Sequence, residues 1–396
     1  MPSNATFYLV GDKIALSIPR LCGNELRYLE ECIQSGWVSS SGPFVERFER
    51  QIANFVNTKF AVATSSGTAA LHLALQVAGV QANDEVLVPS LTFIAPANAV
   101  RYVGAWPILM DSDPVYWQLD VDKVREFLQS ECELRSDELR NRKTGRRIRA
   151  IIPVHMLGHP VDMDPLIELA NRFGITVIED ATESLGSEYK GRRTGSLGHL
   201  GCFSFNGNKI ITCGGGGMIT TNDPSLANYA RYLSTQAKDD ALEYIHDEIG
   251  YNYRLTNVQA ALGVAQMELI SSFVVFKRSV TAKYNSDLAN TQGISLPKEA
   301  NWARSNCWLY TIQIDSKLYG EHSRDLLRRL RDASIESRPL WCPVHKQKPY
   351  RNSQTYKIEV AEHLYQAALS LPCSVGVTDS QLDRVIASVK RSDGAK

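Results

Sequence analysis

The sequence predicts an α/β protein: a large domain built on a mostly parallel central sheet with helices on both faces, followed by a smaller α+β domain. Three observations carry this prediction. Short apolar runs recur at 60–63, 85–89, 106–110, 150–154 and 175–179, with helical patterns between them. Short, mostly apolar runs suit strands buried on both faces, and their alternation with helices calls for parallel crossovers. From 256 onward a long helical pattern leads into a tail of different texture. The chain of 396 residues, 44% hydrophobic and 22% charged, is long enough for a large core and a second domain. The division is expected near 265, giving a large domain over 1–265 and a small one over 266–396, with the first residues packing on the small domain.

In chain order, 36–42 is a small-residue loop around Trp37, Ser39 and Ser40, suited to lining a pocket or to a simple turn. Positions 43–56 place Phe44, Val45, Phe48, Ile52, Phe55 and Val56 at helical spacing, which is an amphipathic helix. The strand at 60–63 runs into Thr64-Ser65-Ser66-Gly67-Thr68, and a helix with Leu71 and Leu75 on one face follows over about 69–78. Hydroxyls and free N–H groups at a helix start can cradle a phosphate. They can equally be a plain N-cap.

Helices are predicted at 95–102, 121–128 and 165–173, the last closed by Gly174. Ligands of parallel sheets bind beyond the carboxyl ends of the strands. The Ser66-Gly67-Thr68 loop, Phe93, His155, and Asp180 with Glu183 all fall there. Asp180 follows an apolar run, where a carboxylate needs a partner such as a cationic ring nitrogen, or else caps a helix. The segment 131–149, ECELRSDELRNRKTGRRIR, reads as a solvated excursion turning at Lys143-Thr144-Gly145. Its interspersed acids and lack of aromatic platforms argue against nucleic acid.

The stretch 201–219, GCFSFNGNKIITCGGGGMI, holds Lys209 between two strand-like runs, beside four glycines. An amine in apolar surroundings can lose its proton and attack an aldehyde. The alternative is a glycine-rich hairpin with a solvated lysine. After it, 250–257 is GYNYRLTN, and Thr256 caps one long helix in which Val258, Leu262, Ala265, Leu269, Phe273, Phe276 and Val280 keep helical spacing. Beyond it lie a strand over 308–314, helices near 323–333 and 379–389, and a polar, aromatic loop at 336–345. No internal repeat or low-complexity linker is present.

Lys+Arg and Asp+Glu both number 43, so no global field draws nucleic acid or an anionic membrane. The eight cysteines form no CxxC pair or metal-ligand cluster, which suits free thiols in a reducing compartment and no bound metal. Neither a secretory leader nor a run of roughly 18 apolar residues occurs, so a cytoplasmic location without membrane insertion is the default.

A phosphate loop, an aromatic after a strand, a buried aspartate after a strand and a lysine beside glycines follow one another along the chain. Pyridoxal 5'-phosphate asks for all four: it has a phosphate, a flat ring, a ring nitrogen to be kept protonated, and an aldehyde. The chain resembles the DegT/DnrJ/EryC1/StrS family of nucleotide-sugar aminotransferases along nearly its whole length. The motifs are SSGTAALHLAL at 65–75, PSLTFIAPANAV at 89–100, IEDATESLGS at 178–187, CFSFNGNKIITCGGGGMI at 202–219 and GYNYRLTNVQAALG at 250–263. GWVSSSGP at 36–43, the charged excursion, STQAKDD at 234–240 and the RPLW…HKQKPY stretch at 338–350 are similar to aminotransferases of legionaminic acid and bacillosamine-type pathways.

The resemblance implies the fold-type I architecture of pyridoxal-phosphate enzymes. It gives Lys209 as the residue that captures the aldehyde, Asp180 at the pyridine nitrogen and Phe93 on the ring. Gly67, Thr68 and Ser204 hold the phosphate, with Asn252 contributed by the other subunit of a homodimer. Glu183 stands where many relatives carry glutamine near the ring hydroxyl. Ser39, Ser40, His155, Arg254, Arg338 and His345 are implied substrate contacts. The implied reaction moves an amino group from L-glutamate to carbon 4 of a nucleotide-linked 4-keto-6-deoxy sugar, for bacterial surface glycan synthesis. UDP-2-acetamido-4-keto-2,6-dideoxyhexose is the first choice. The GDP-linked 4-keto mannose derivative leading to perosamine is the alternative. Some relatives with this fold carry histidine in place of the lysine and remove a hydroxyl instead, and Lys209 argues against that chemistry. A non-catalytic binding protein on the same fold is the remaining rival, and the intact Lys209, Asp180 and phosphate loop argue against it.

Overall fold

In the computed structural model, which describes residues 12–390 apart from 137 and 241, the large domain is organised by an eight-stranded sheet. Its order is Phe60–Thr64, Gly217–Thr221, Leu200–Ser204, Thr176–Asp180, Ile148–Ile151, Glu85–Pro89, Trp106–Met110 and Thr355–Tyr356. Gly217–Thr221 runs antiparallel to both neighbours, and every other adjacent pair is parallel. The carboxyl ends of the other seven strands therefore share one edge with the start of the antiparallel one. That edge gathers the hydroxyl loop after Thr64, Asp180 and the turn that carries Lys209.

Helix faces bury this sheet on both sides, as its largely apolar strands require. Gly67–Val77 and Ala95–Tyr102 pack against one face with Val86, Val88 and Ile178. Asn257–Met267 and Pro43–Val56 close the opposite face over Ala61, Ala63, Phe203 and Met218. Phe48, Phe203 and Phe205 are fully buried there, and each contributes on the order of 1.5–3 kcal/mol through lost apolar contact with water.

The predicted single helix from Thr256 is two helices, Asn257–Met267 and Ile270–Leu288, set 60° apart. At the break the Glu268 carboxylate accepts from Asn24 Nδ2 (2.6 Å), Tyr28 Oη (2.6 Å) and Arg47 (3.1 Å), which ties the junction to the N-terminal helices. Apolar spacing persists through the bend because Phe273 and Val274 still enter the large-domain core. Val280, Tyr284 and Leu288 enter the small-domain core instead, so the two cores divide within Ile270–Leu288. The small domain is an antiparallel sheet, ordered Ile294–Ser295, Tyr310–Ile314, Ala368–Leu371 and Arg338–Pro339, packed by Ser323–Asp332 and Asp379–Val389. Ile14 bridges Ile335 and joins the same core. Residues 1–11 lie outside the described residues.

The charged excursion folds as a hairpin of Cys132–Arg135 and Glu138–Asn141. It reverses between those strands, and the predicted turn at Lys143-Thr144-Gly145 is a second one that leads back to the sheet. The buried Glu85 fixes this second turn by accepting from Asn141 Nδ2 (2.8 Å) and Thr144 Oγ1 (2.9 Å). Glu133 pairs with Arg135 and Arg142 and Glu138 with Arg140 inside the excursion, while Asp84 of the large domain pairs with Arg147. Among the described residues no single helix is long and apolar enough to cross a membrane.

Candidate active site

A cleft of about 400 Å³ opens at the carboxyl edge of the large sheet and is lined by Gly67, Thr68, Phe93, Asp180, Glu183, Ser204 and Lys209. These positions span 67–209 in sequence and meet because the parallel strands all end at one edge.

The hydroxyl loop forms a helix start. Ser66 caps Gly67–Val77, its side chain accepting from Ala69 N at 3.0 Å. A Cβ on Gly67 would lie 2.7 Å from Ser204 Cβ, so glycine is what lets the loop and the Ser204 hydroxyl approach each other. A Cβ on Gly217 would sit 2.4 Å from the carbonyl oxygen of Ser66, a backbone atom that cannot swing aside. Free N–H groups, a helix dipole and hydroxyls converge there on a cradle suited to a phosphate.

Asp180 ends its strand and is 3% exposed, with Thr182 N–H donating to Oδ1 at 3.1 Å. Burial pushes its carboxyl up, against the pull of Thr182 and Lys209. A carboxylate in this position is stabilised by a cation brought to it. Lys209 sits on the turn after Leu200–Ser204, its N–H donating to Asn206 O at 3.0 Å. Trp308 Nε1 holds that turn by donating to Asn208 O at 2.8 Å. The Trp308 ring lies 4.1 Å from Lys209 Nζ, and Glu183 Oε1 lies 3.7 Å from it. Burial lowers the Lys209 amine from its usual value, opposed by Glu183 and Asp180. Burial also pushes Glu183 up to about 7, opposed by Lys209. Two carboxyls raised and an amine lowered by one enclosure are the pattern expected of an acid–base site.

Trp308, Trp341, Asn206, Asn208, Thr182 and Thr92 also line the cleft, and the sequence reading assigned them no role. Trp341 lies in the aromatic loop already singled out at 336–345, and the two asparagines flank Lys209. Trp308 opens what reads as a plain strand, and only the packing of the small domain shows it stacking at 7° to Trp341 beside the lysine.

The six implied substrate contacts fall outside this lining. His155 is fully buried and cannot meet a substrate. Val161 N–H donates to its Nδ1 (3.1 Å), so the proton sits on Nε2, which donates to Glu179 (2.9 Å). Arg254 is held by Glu49 (2.6 Å) and by Ala63 O (3.2 Å). His345 links Ser90 (2.7 Å) to Glu362 (2.9 Å), and Arg338 is exposed and paired with Glu336. Ser39, Ser40 and Asn252 are exposed. The buried Glu49 also binds Arg231 (3.0 Å) and accepts from Ala63 N (2.8 Å). Glu49→Ala leaves the enclosed Arg254 without its counter-charge, and an expected loss of about 3–5 kcal/mol is read by urea denaturation.

The DegT/DnrJ/EryC1/StrS aminotransferase family profile matches residues 19–390. The chain belongs to this family. It is 41% identical over 379 residues to the GDP-perosamine synthase of Caulobacter vibrioides, covering 95% of this chain and 97% of that one. It is 37% identical to the GDP-perosamine synthase of Escherichia coli O157:H7, covering 94% and 96%. Among solved structures it matches DesV of S. venezuelae at a TM-score of 0.83 and 31% identity, covering 95% and 98%. The protein is thus a transaminase of fold-type I that uses pyridoxal phosphate and acts on nucleotide sugars.

The cleft suits that cofactor, since it offers an anion cradle, a buried carboxylate in want of a cation, and an enclosed amine. Gly67, Thr68 and Ser204 would hold the phosphate, Asp180 the ring nitrogen, Phe93 the ring face and Lys209 the aldehyde carbon. Bound there, the cofactor supplies an aldehyde for amines and a ring that accepts an electron pair. The chain's own part would be acid–base: Lys209 Nζ, with the Trp308 ring 4.1 Å away, would take or give a proton, and Asp180 would hold a negative charge at the ring nitrogen.

Proposed function

We propose that the enzyme moves an amino group from L-glutamate to carbon 4 of a nucleotide-linked 4-keto-6-deoxyhexose, most simply UDP-2-acetamido-4-keto-2,6-dideoxyhexose, in the synthesis of a surface glycan. The observation that carries the transamination is Lys209 Nζ enclosed between Glu183 and the Trp308 ring in the cleft that holds Asp180. An amine so placed is a base for a neighbouring carbon. The UDP sugar rests on the motifs at 36–43, 131–149, 234–240 and 338–350. The names of the relatives at 41% and 37% identity favour a second reading, a GDP-linked 4-keto-6-deoxymannose converted to perosamine.

A homodimer with shared sites is part of the same proposal. Asn252 is exposed and lies outside its own chain's cleft, where a second copy can use it. The eight thiols are free, in keeping with a cytoplasmic, reducing compartment.

The test is a panel of UDP-, GDP- and dTDP-linked 4-keto-6-deoxy sugars with L-glutamate, the product followed by mass spectrometry and NMR. Conversion of the UDP sugar at least about tenfold faster than the GDP sugar is expected, a difference of about 1.4 kcal/mol in transition-state binding. The reverse order moves the assignment to the GDP sugar. Conversion of the dTDP sugars alone overturns both.

A further inference from the structure

We propose that Glu183 is the counter-ion of the nitrogen at Nζ of Lys209, and that its carboxylate sets the pH at which that nitrogen gives up its proton. The inference rests on reading Lys209 as the aldehyde-capturing amine.

The geometry separates two jobs within one side chain. Glu183 Oε2 accepts from Leu157 N–H at 2.8 Å, which fixes the carboxyl in place. Oε1 points to Lys209 Nζ at 3.7 Å, beyond a good hydrogen bond, so it acts on Nζ through its charge. The Glu183 and Lys209 side chains are 4% and 13% exposed, so solvent screens the pair little. The backbone beneath is rigid, since Asn306 Nδ2 donates to Glu183 O at 3.0 Å and to Leu185 O at 3.0 Å.

Anchoring alone needs no charge, because a glutamine oxygen would accept from Leu157 equally well. A carboxylate matters only to a positive neighbour, and Lys209 supplies one. The other groups near the pair are few. Asp180, from its own strand, also faces Lys209, and Trp308, from the small domain, covers Nζ with an uncharged ring. His155 lies near Asp180, with its ring taken up by Glu179 and Val161. Asp180 would have the ring nitrogen as its partner once the cofactor is in place, and Glu183, expected near the ring hydroxyl, is the carboxylate within ion-pair range of Nζ. Burial and charge therefore oppose each other at Nζ: the enclosure favours loss of the proton and Glu183 favours keeping it. Removing the charge lets the enclosure win.

Two measurements on the purified enzyme test this. First, the visible absorbance of bound cofactor is titrated against pH in the wild type, Glu183→Gln and Glu183→Asp. The midpoint is expected to fall by about 1–3 pH units in Glu183→Gln, the usual effect of losing an opposite charge at this range, with Glu183→Asp between. Second, acetylation of Lys209 by acetic anhydride is followed across pH by mass spectrometry in cofactor-free wild type and Glu183→Gln, and its midpoint is expected to fall in the same sense. If Glu183→Gln does not fold, Glu183→Asp carries both measurements. Equal midpoints in wild type and variants would overturn the proposal. A protein that never takes up cofactor would overturn the functional reading, and the acetylation result would still decide the role of Glu183.

Discussion

Lys209→Ala is expected to lose at least about 10³-fold in turnover and to lose the visible absorbance of captured cofactor. Two separate losses combine. The variant lacks the amine that bonds the cofactor's aldehyde, and it lacks the base that stands nearest the reacting carbon afterwards. The fold should survive, because Lys209 lies on a turn fixed by backbone groups, with Lys209 N–H on Asn206 O and Trp308 Nε1 on Asn208 O. Truncation also frees the buried Glu183 and Asp180 from a cation, so both carboxyls rise further. Their protonation offsets the cost of burying them unpaired. Phosphate held at Gly67, Thr68 and Ser204 should keep some cofactor bound without the covalent link, and filtration followed by fluorescence reads this. Methylamine added to Lys209→Ala would restore part of the activity if the missing proton carrier is the main loss. An active Lys209→Ala enzyme without added amine would remove the lysine from the chemistry.

Most of the large domain was legible because its strands are mostly apolar and its helices are punctuated by Ser66 and Gly174. These signals are local, and so are the elements they define. The cleft's key residues were legible for a related reason: a parallel sheet puts its strand ends together, so residues after successive strands become neighbours. The helix break at Glu268 was not legible, since apolar spacing runs through it and the contacts made at the junction, with Asn24, Tyr28 and Arg47, come from more than 200 positions away. Arg254 and His155 misled for the same cause. A polar side chain near a motif looks free until a distant helix or a buried layer presents the partner that occupies it. Here those partners are Glu49 for Arg254 and Glu179 for His155. Trp308 escaped notice because an aromatic at a strand start reads as core in any sequence.

Asp180→Asn should make the cofactor-free protein more stable and the enzyme worse, and the two effects share one cause. Burial raises the Asp180 carboxyl, so the folded chain holds its proton more tightly than the unfolded chain, whose aspartate sits near 3.9. A raised folded value means that the stabilising contribution is complete below about 3.9 and is lost as pH rises through the folded value. Above that value the wild type carries a buried charge with incomplete pairing, and asparagine does not. Chemical denaturation of the cofactor-free proteins should therefore show Asp180→Asn gaining on the wild type from pH 4 to pH 8, by at least about 1 kcal/mol at the upper end. With cofactor the order reverses. A cationic ring nitrogen relieves the buried charge of Asp180 and gains nothing from an amide, so saturating pyridoxal phosphate should raise the melting temperature of the wild type more than that of the variant. Turnover should fall by about 10²–10³, the usual loss when one fixed electrostatic partner is removed from a developing charge. A variant that loses stability at pH 8 and keeps full activity would show that the buried carboxylate serves the fold alone. The expected pattern, stability surrendered in the empty protein and recovered on loading, would mark Asp180 as held in place for the cofactor.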